Sequence, residues 1–181
     1  MITFSLIIVL IVTIFIAVMM FSIVVGLIMT GVPFVSSHFG DVNEILAVME
    51  LVPGQVICDL GCGKAQILIK ACKKYKVKGI GYELSLWPYL WARLNVWLSG
   101  ADVKIYFANF FQADLSKADM IYCYLFPEIM AKLEHKFQKE LKPGAKVVSY
   151  GFKMPNMTPD KVVITHADNV ELGKIYIYKF C

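Results

Sequence analysis

The first charged side chain in the sequence is Asp41. Ahead of it, Ile2 to Met29 reads ITFSLIIVLIVTIFIAVMMFSIVVGLIM, longer than the roughly 20 apolar residues that a helix needs to cross about 30 Å of hydrocarbon. Soluble domains rarely bury a helix that is apolar on every side. A cleaved signal peptide would carry a positive leader, a shorter apolar stretch and a small-residue cleavage site, and none is present. An uncleaved transmembrane anchor over residues 1–32 is therefore expected, in contact with the lipid bilayer through residues 2–29. Residues 33–181 carry all 18 Lys and Arg and all 14 Asp and Glu, which is enough chain for one domain with a real core. Collagen-like, disordered and disulfide-scaffold classes are excluded.

Five cysteines, Cys58, Cys62, Cys72, Cys123 and Cys181, form no CxxC pair and no His cluster. That suits a reducing compartment and gives no metal site. A net charge of +4, with the cations dispersed, suits an anionic membrane surface better than nucleic acid, and no nucleic-acid partner is expected. Lys and Arg flanking the span are too distant to orient it.

Past the linker PFVSSH, Asp41 is a plausible N-cap for an amphipathic helix over DVNEILAVMELV, stopped by Pro53-Gly54. Val56 to Leu60 then reads as a strand, Ala65 to Tyr75 as a helix, VKGIGYEL as a strand ending at Glu83, and Leu86 to Ser99 as a helix closed by Gly100. Residues 103–108, the run DMIYCYLF, a helix from Pro127 to Leu141 and the run AKVVSYGF continue the alternation. Alternating strands and helices predict a parallel doubly wound sheet. KVVITHA and GKIYIYKF leave no room for a helix between them and should pair as an antiparallel hairpin.

The chemistry concentrates where a strand ends in Asp59 and Leu60-Gly61-Cys62-Gly63 opens a helix. Glycines let a ligand approach the backbone, and helix N-terminal N–H groups suit an anionic group. Glu83 stands 20 residues past Gly63, at the end of the next strand, where a carboxylate can accept both hydroxyls of a ribose. That spacing alone also suits a dinucleotide. Asp59, two residues before the first glycine, would repel a phosphate but suits the cationic ammonium of a methionyl group, and the G-x-G-x-x-G run that holds a pyrophosphate is missing.

In these residues the chain resembles the class I S-adenosylmethionine-dependent methyltransferases, whose first motif is an acidic residue followed by x-G-x-G-x-G. Asp59, Gly61 and Gly63 match, and Ala65 stands at the third glycine. The resemblance implies an α/β, Rossmann-like, seven-stranded sheet with strands 1–5 parallel and a closing antiparallel hairpin whose last strand inserts beside the fifth. PFVSS after the span, DLGCGKAQILI, GYELSLWPYLWAR and YLFPEIMAKLEHKFQKELKPGAKVVSYGFKMP are similar, more narrowly, to the family of the ATP synthase c-subunit lysine methyltransferase and its relative acting on the adenine nucleotide translocase. That resemblance implies S-adenosyl-L-methionine as cofactor, and it sets Pro33, Phe34, Val35, Ser36 and Ser37 beside the cofactor and lysine channel. It also sets Asn109 where an acidic residue often faces the adenine amino group. A cytosolic cofactor places the domain in the cytoplasm. No Arg-rich leader precedes the span, so mitochondrial targeting is not carried over, although a eukaryotic chain of this kind would be expected in the mitochondrial inner membrane.

Tyr124, Leu125, Phe126 and Pro127 end the fourth strand, where the crevice of an open α/β sheet lies. Tyr124, Phe126 and Pro127 are the expected catalytic collar, excluding water and favouring a sulfonium or methylammonium through ring faces. The alternative is a buried aromatic strand end. Trp87, Trp91 and Trp97 fall in one helix, either as core, as a membrane-facing patch, or with Trp87 lining the cofactor pocket. His38, His135 and His166 share no spacing, and the Lys and Glu run from Lys132 to Lys142 reads as an exposed helix face. The expected activity is methyl transfer to a lysine of a membrane or membrane-proximal protein, against two alternatives: a lipid or small-molecule acceptor, or a membrane adaptor without turnover.

Overall fold

Alternating apolar runs, glycine turns and amphipathic stretches resolve into a three-layer α/β sheet in the computed structural model, which describes residues 2–30, 42–165 and 173–180. Helix α1 spans Ile2–Thr30 and α2 spans Val42–Met49. Strand β1, Val56–Leu60, leads into α3, Gln66–Tyr75, then β2, Lys78–Glu83, α4, Leu86–Ser99, and β3, Val103–Phe107. A short 3-10 turn over Phe110–Gln112 precedes β4, Met120–Cys123, α5, Pro127–Glu140, and β5, Lys146–Tyr150. The chain closes through β6, Lys161–Ile164, and β7, Lys174–Lys179.

The sheet order is β3-β2-β1-β4-β5-β7-β6. β1 to β5 run parallel, while β7 pairs antiparallel with both β5 and β6. The reversed last strand thus inserts beside the fifth, as the resemblance implied. Asp41, Phe34 and the rest of the linker lie outside the described residues.

Both sheet faces are apolar because successive strand side chains point opposite ways. Ile57 joins Val42, Ile45, Leu46 and Met49 of α2 and Leu68 and Ala71 of α3 on one side. Cys58 and Leu60 join Ile129, Met130, Leu133 and Phe137 of α5 on the other. The strand order reverses direction between β1 and β4, so the C-terminal edge opens there into a crevice.

Gly81, in β2, is where the turn after β1 packs hardest. A Cβ at this position would stand 2.7 Å from Cys62 Sγ and from Ile105 Cδ1, and 3.0 Å from Leu68 Cδ1. Gly81→Val should therefore force α3 and β3 off β2 and destabilise the domain by about 1–3 kcal/mol, read as a lowered urea midpoint. An unchanged midpoint would show that this contact is not tight.

Candidate active site

The site is assembled by the ends of β1, β2 and β4. Asp59 pairs in register with Gly81 on one side and Tyr122 on the other. Glu83 lies two residues beyond Gly81 along β2, so the two carboxyls project from the same face of adjacent strands. Both are buried, with 3% exposure for Asp59 and 7% for Glu83.

The turn between β1 and α3 is held by backbone bonds. The N–H groups of Gly61 and Cys62 both donate to the Tyr82 carbonyl, at 2.9 and 3.0 Å. Gly61 has φ 85° and Gly63 φ 53°, and a Cβ on Gly61 would meet only Leu125 Cδ2 at 3.9 Å, so this rim is open to a ligand. Ala65, at the third glycine position, also takes the left-handed conformation, with φ 60°. Its N–H donates to Cys62 O at 2.7 Å and its carbonyl accepts from Ile69 N, so the alanine is fixed in the turn at a conformational cost of roughly 1 kcal/mol.

Glu83 is clamped. One carboxylate oxygen accepts the Gly63 N–H at 3.0 Å and the other the Ser85 N–H at 2.8 Å. Each oxygen keeps a second lone pair, and that pair of acceptors suits a vicinal diol. Asp59 differs. Burial first, and the neighbouring Glu83 charge second, push its carboxyl up to about 8. Among the described residues no donor pairs with it, so this is a buried acid whose ionisation a cation would favour. Burial likewise holds the Cys58 and Cys123 thiols up at about 12 and raises that of Cys62; none offers a thiolate nucleophile.

At the end of β4, Tyr124 and Phe126 face a loop that follows β5. The Tyr124 ring stands 5.2 Å edge-on from Tyr150 and 6.2 Å stacked on Phe152, while Phe126 lies 5.4 Å from Phe152. Gly151 makes this possible: its φ is 78°, and a Cβ would sit 3.0 Å from Tyr124 Cε2. Ser149 Oγ donates to the Phe152 carbonyl, the Tyr178 hydroxyl accepts the Met154 N–H at 2.8 Å, and buried Glu134 accepts the Asn156 N–H at 3.2 Å. Tyr124, Phe126 and Phe152 thus stand half-buried together past the ends of β4 and β5, backed by Tyr150, which is buried in the core with α2 and α3. Sequence patterning misses Tyr150 and Phe152; the strand-end Tyr-Gly-Phe is their signal.

Of the other expected residues, Pro127 occupies the first turn of α5. Asn109 Oδ1 accepts the Phe111 N–H at 2.9 Å and so holds the turn after β3. Trp87 lies against α1, its ring 5.0 Å from Phe15, with its indole N–H buried and unpartnered among the described residues. Phe34 lies outside the described residues. The core reading of the tryptophan helix does not hold, because Trp91 is 54% and Trp97 77% exposed.

Residues 59–161 match the model of the ANTKMT methyltransferase domain. A protein-lysine N-methyltransferase of Saccharolobus islandicus (strain REY15A) is 31% identical over 150 residues, which are 81% of this chain and 92% of that protein. The adenine nucleotide translocase lysine N-methyltransferase of Mus musculus is 31% identical over 141 residues, 77% of this chain but 61% of the mouse protein's length. Among solved structures, an RNA methyltransferase from Salinibacter ruber in complex with S-adenosyl-L-homocysteine superposes with a TM-score of 0.74 at 28% identity, covering 81% of this chain and 94% of that one.

Proposed function

Since the chain belongs to the family defined by the ANTKMT methyltransferase domain and is an S-adenosylmethionine-dependent methyltransferase, we propose that it methylates a lysine of a membrane or membrane-proximal protein. What supports lysine as acceptor most is the archaeal protein-lysine methyltransferase, alike over 92% of its length. Residues 1–32 act as the anchor and residues 33–181 as the catalytic domain, facing the cytoplasm. The anchor confines the search to the bilayer surface and raises the effective concentration of targets there.

The buried residues fit the cofactor. Asp59, without a partner among the described residues, would hold the methionyl ammonium, Glu83 the ribose hydroxyls, and the open rim at Gly61 would admit the ligand's close approach. When bound, S-adenosylmethionine supplies an electrophilic methyl on a sulfonium.

The rest of the chemistry is positioning. A lysine amine, with an ordinary pKa of about 10.4, must lose its proton to present a lone pair. The collar of Tyr124, Phe126 and Phe152 desolvates that amine and lowers its pKa in the useful direction. The same ring faces favour the methylammonium product by roughly 1–2 kcal/mol. No dedicated base is required.

A lipid acceptor is the second reading, favoured by the exposed Trp91 and Trp97 of the helix that follows Glu83. Incubating the detergent-solubilised chain with methyl-labelled cofactor and membranes, then separating protein, lipid and RNA, decides between them. Label released from protein as methyllysine is expected. Label in lipid or RNA alone would overturn the lysine assignment.

A further inference from the structure

Helix α4 wears its apolar face outward. Its one fully buried residue is Ala92. On the opposite side Leu90, Trp91, Leu94, Trp97 and Leu98 are 45%, 54%, 45%, 77% and 68% exposed, and at 100° per residue they fall within an arc of roughly 120°. A stripe this apolar, on the side turned from the core, marks an interaction surface rather than a solvated helix face.

The structure indicates what covers it. Trp87 extends the stripe at its N-terminal end and packs edge-on against Phe15 of α1 at 5.0 Å. Phe15 belongs to the helix read as the membrane anchor, so the stripe is continuous at its N-terminal end with the surface that meets lipid. At the border of that face, Arg93 and Lys104 join Trp97 and Tyr106 in an open groove of about 490 Å³ where α4 meets the sheet edge at β3. Aromatic rings with cations beside them are the side chains that settle at a lipid interface bearing anionic headgroups.

We propose that the outward face of α4 is seated in the bilayer interface as a second membrane contact, so that the domain is docked on the lipid rather than held above it on a tether. This rests on reading α1 as a membrane helix. Because α4 begins three residues after Glu83, docking holds the crevice at the membrane surface and limits acceptors to side chains presented at interfacial depth.

The three tryptophans of the chain, Trp87, Trp91 and Trp97, all lie on α4, so its intrinsic fluorescence reports this helix alone. The full chain would be reconstituted into phosphatidylcholine and phosphatidylglycerol vesicles carrying bromine at shallow or deep acyl positions, with flotation measured in parallel. The expected result is blue-shifted emission and about a twofold loss to shallow bromine, because interfacial aromatic rings sit at headgroup level. A Leu94→Glu, Leu98→Glu variant should float equally well but lose most of the quenching. Flotation with water-exposed, unquenched tryptophans would overturn the proposal and leave the anchor intact. Blue-shifted but unquenched emission would also overturn it, assigning the face to a second protein surface. Failure to float would overturn the anchor and the docking together.

Discussion

Asp59→Asn is expected to raise the melting temperature of the ligand-free protein at pH 7 while costing it the cofactor. Burial holds the Asp59 carboxyl up at about 8 in the folded chain, whereas in the unfolded chain it titrates near 3.9. Between those values the native state keeps a proton that the unfolded state has lost, so stability falls as pH rises from about 4 to about 8 and is flat above. Asparagine removes this penalty, on the order of 1–4 kcal/mol at neutral pH, or several degrees in a domain of this size. Binding moves the other way. A buried carboxylate facing an ammonium loses at least about thirtyfold in affinity when its charge is removed. Wild-type affinity should also rise from about pH 6 toward 7.5, with proton release, as the ligand cation draws Asp59 into its charged form. Differential scanning fluorimetry with and without S-adenosylmethionine across that range reads both effects. A variant that melts lower and still binds would place the cation elsewhere.

The second large effect belongs to the collar. Tyr124→Phe should retain methyl transfer to within about threefold, because the ring and not the hydroxyl lines the crevice mouth. Tyr124→Ala should lose about a hundredfold in kcat: it removes the ring on which Phe152 stacks at 6.2 Å and which Tyr150 meets at 5.2 Å, opening the mouth to water and loosening the approach geometry. Cofactor affinity should change little in either variant. A collapse of kcat in Tyr124→Phe with binding intact would instead make the hydroxyl a participant.

The parts of this arrangement legible in the sequence are those that local chemistry dictates. Asp59-Leu60-Gly61-Cys62-Gly63 announces its turn because two of its residues need positive φ, and Glu83 follows at the spacing that one α/β crossover imposes. The closing hairpin was visible because no helix fits between β6 and β7. The fourth strand came out shorter than its apolar run, ending at Cys123 rather than Phe126. Phe126 is extended ahead of Pro127, which opens α5. Hydropathy does not see that exit, because Tyr124 to Phe126 stay apolar after leaving the ladder.

What the sequence concealed is tertiary. Periodicity places Trp91 and Trp97 on α4 but does not say that its small residue, Ala92, faces the sheet. Nor does it say that Phe152, 28 residues from Tyr124, folds back onto it. That depends on Gly151 and on anchors as remote as Glu134 and Tyr178.

The claim on which the rest depends is that the pocket between Asp59 and Glu83 holds the methyl donor. Calorimetric titration of the detergent-solubilised chain with S-adenosylmethionine and S-adenosylhomocysteine, beside Asp59→Ala and Glu83→Ala, tests it most directly. Saturable one-to-one binding of both ligands to the wild type, lost in both variants while their folded spectra persist, is the expected result. Undiminished binding in both variants, or none in well-folded wild type, would contradict it.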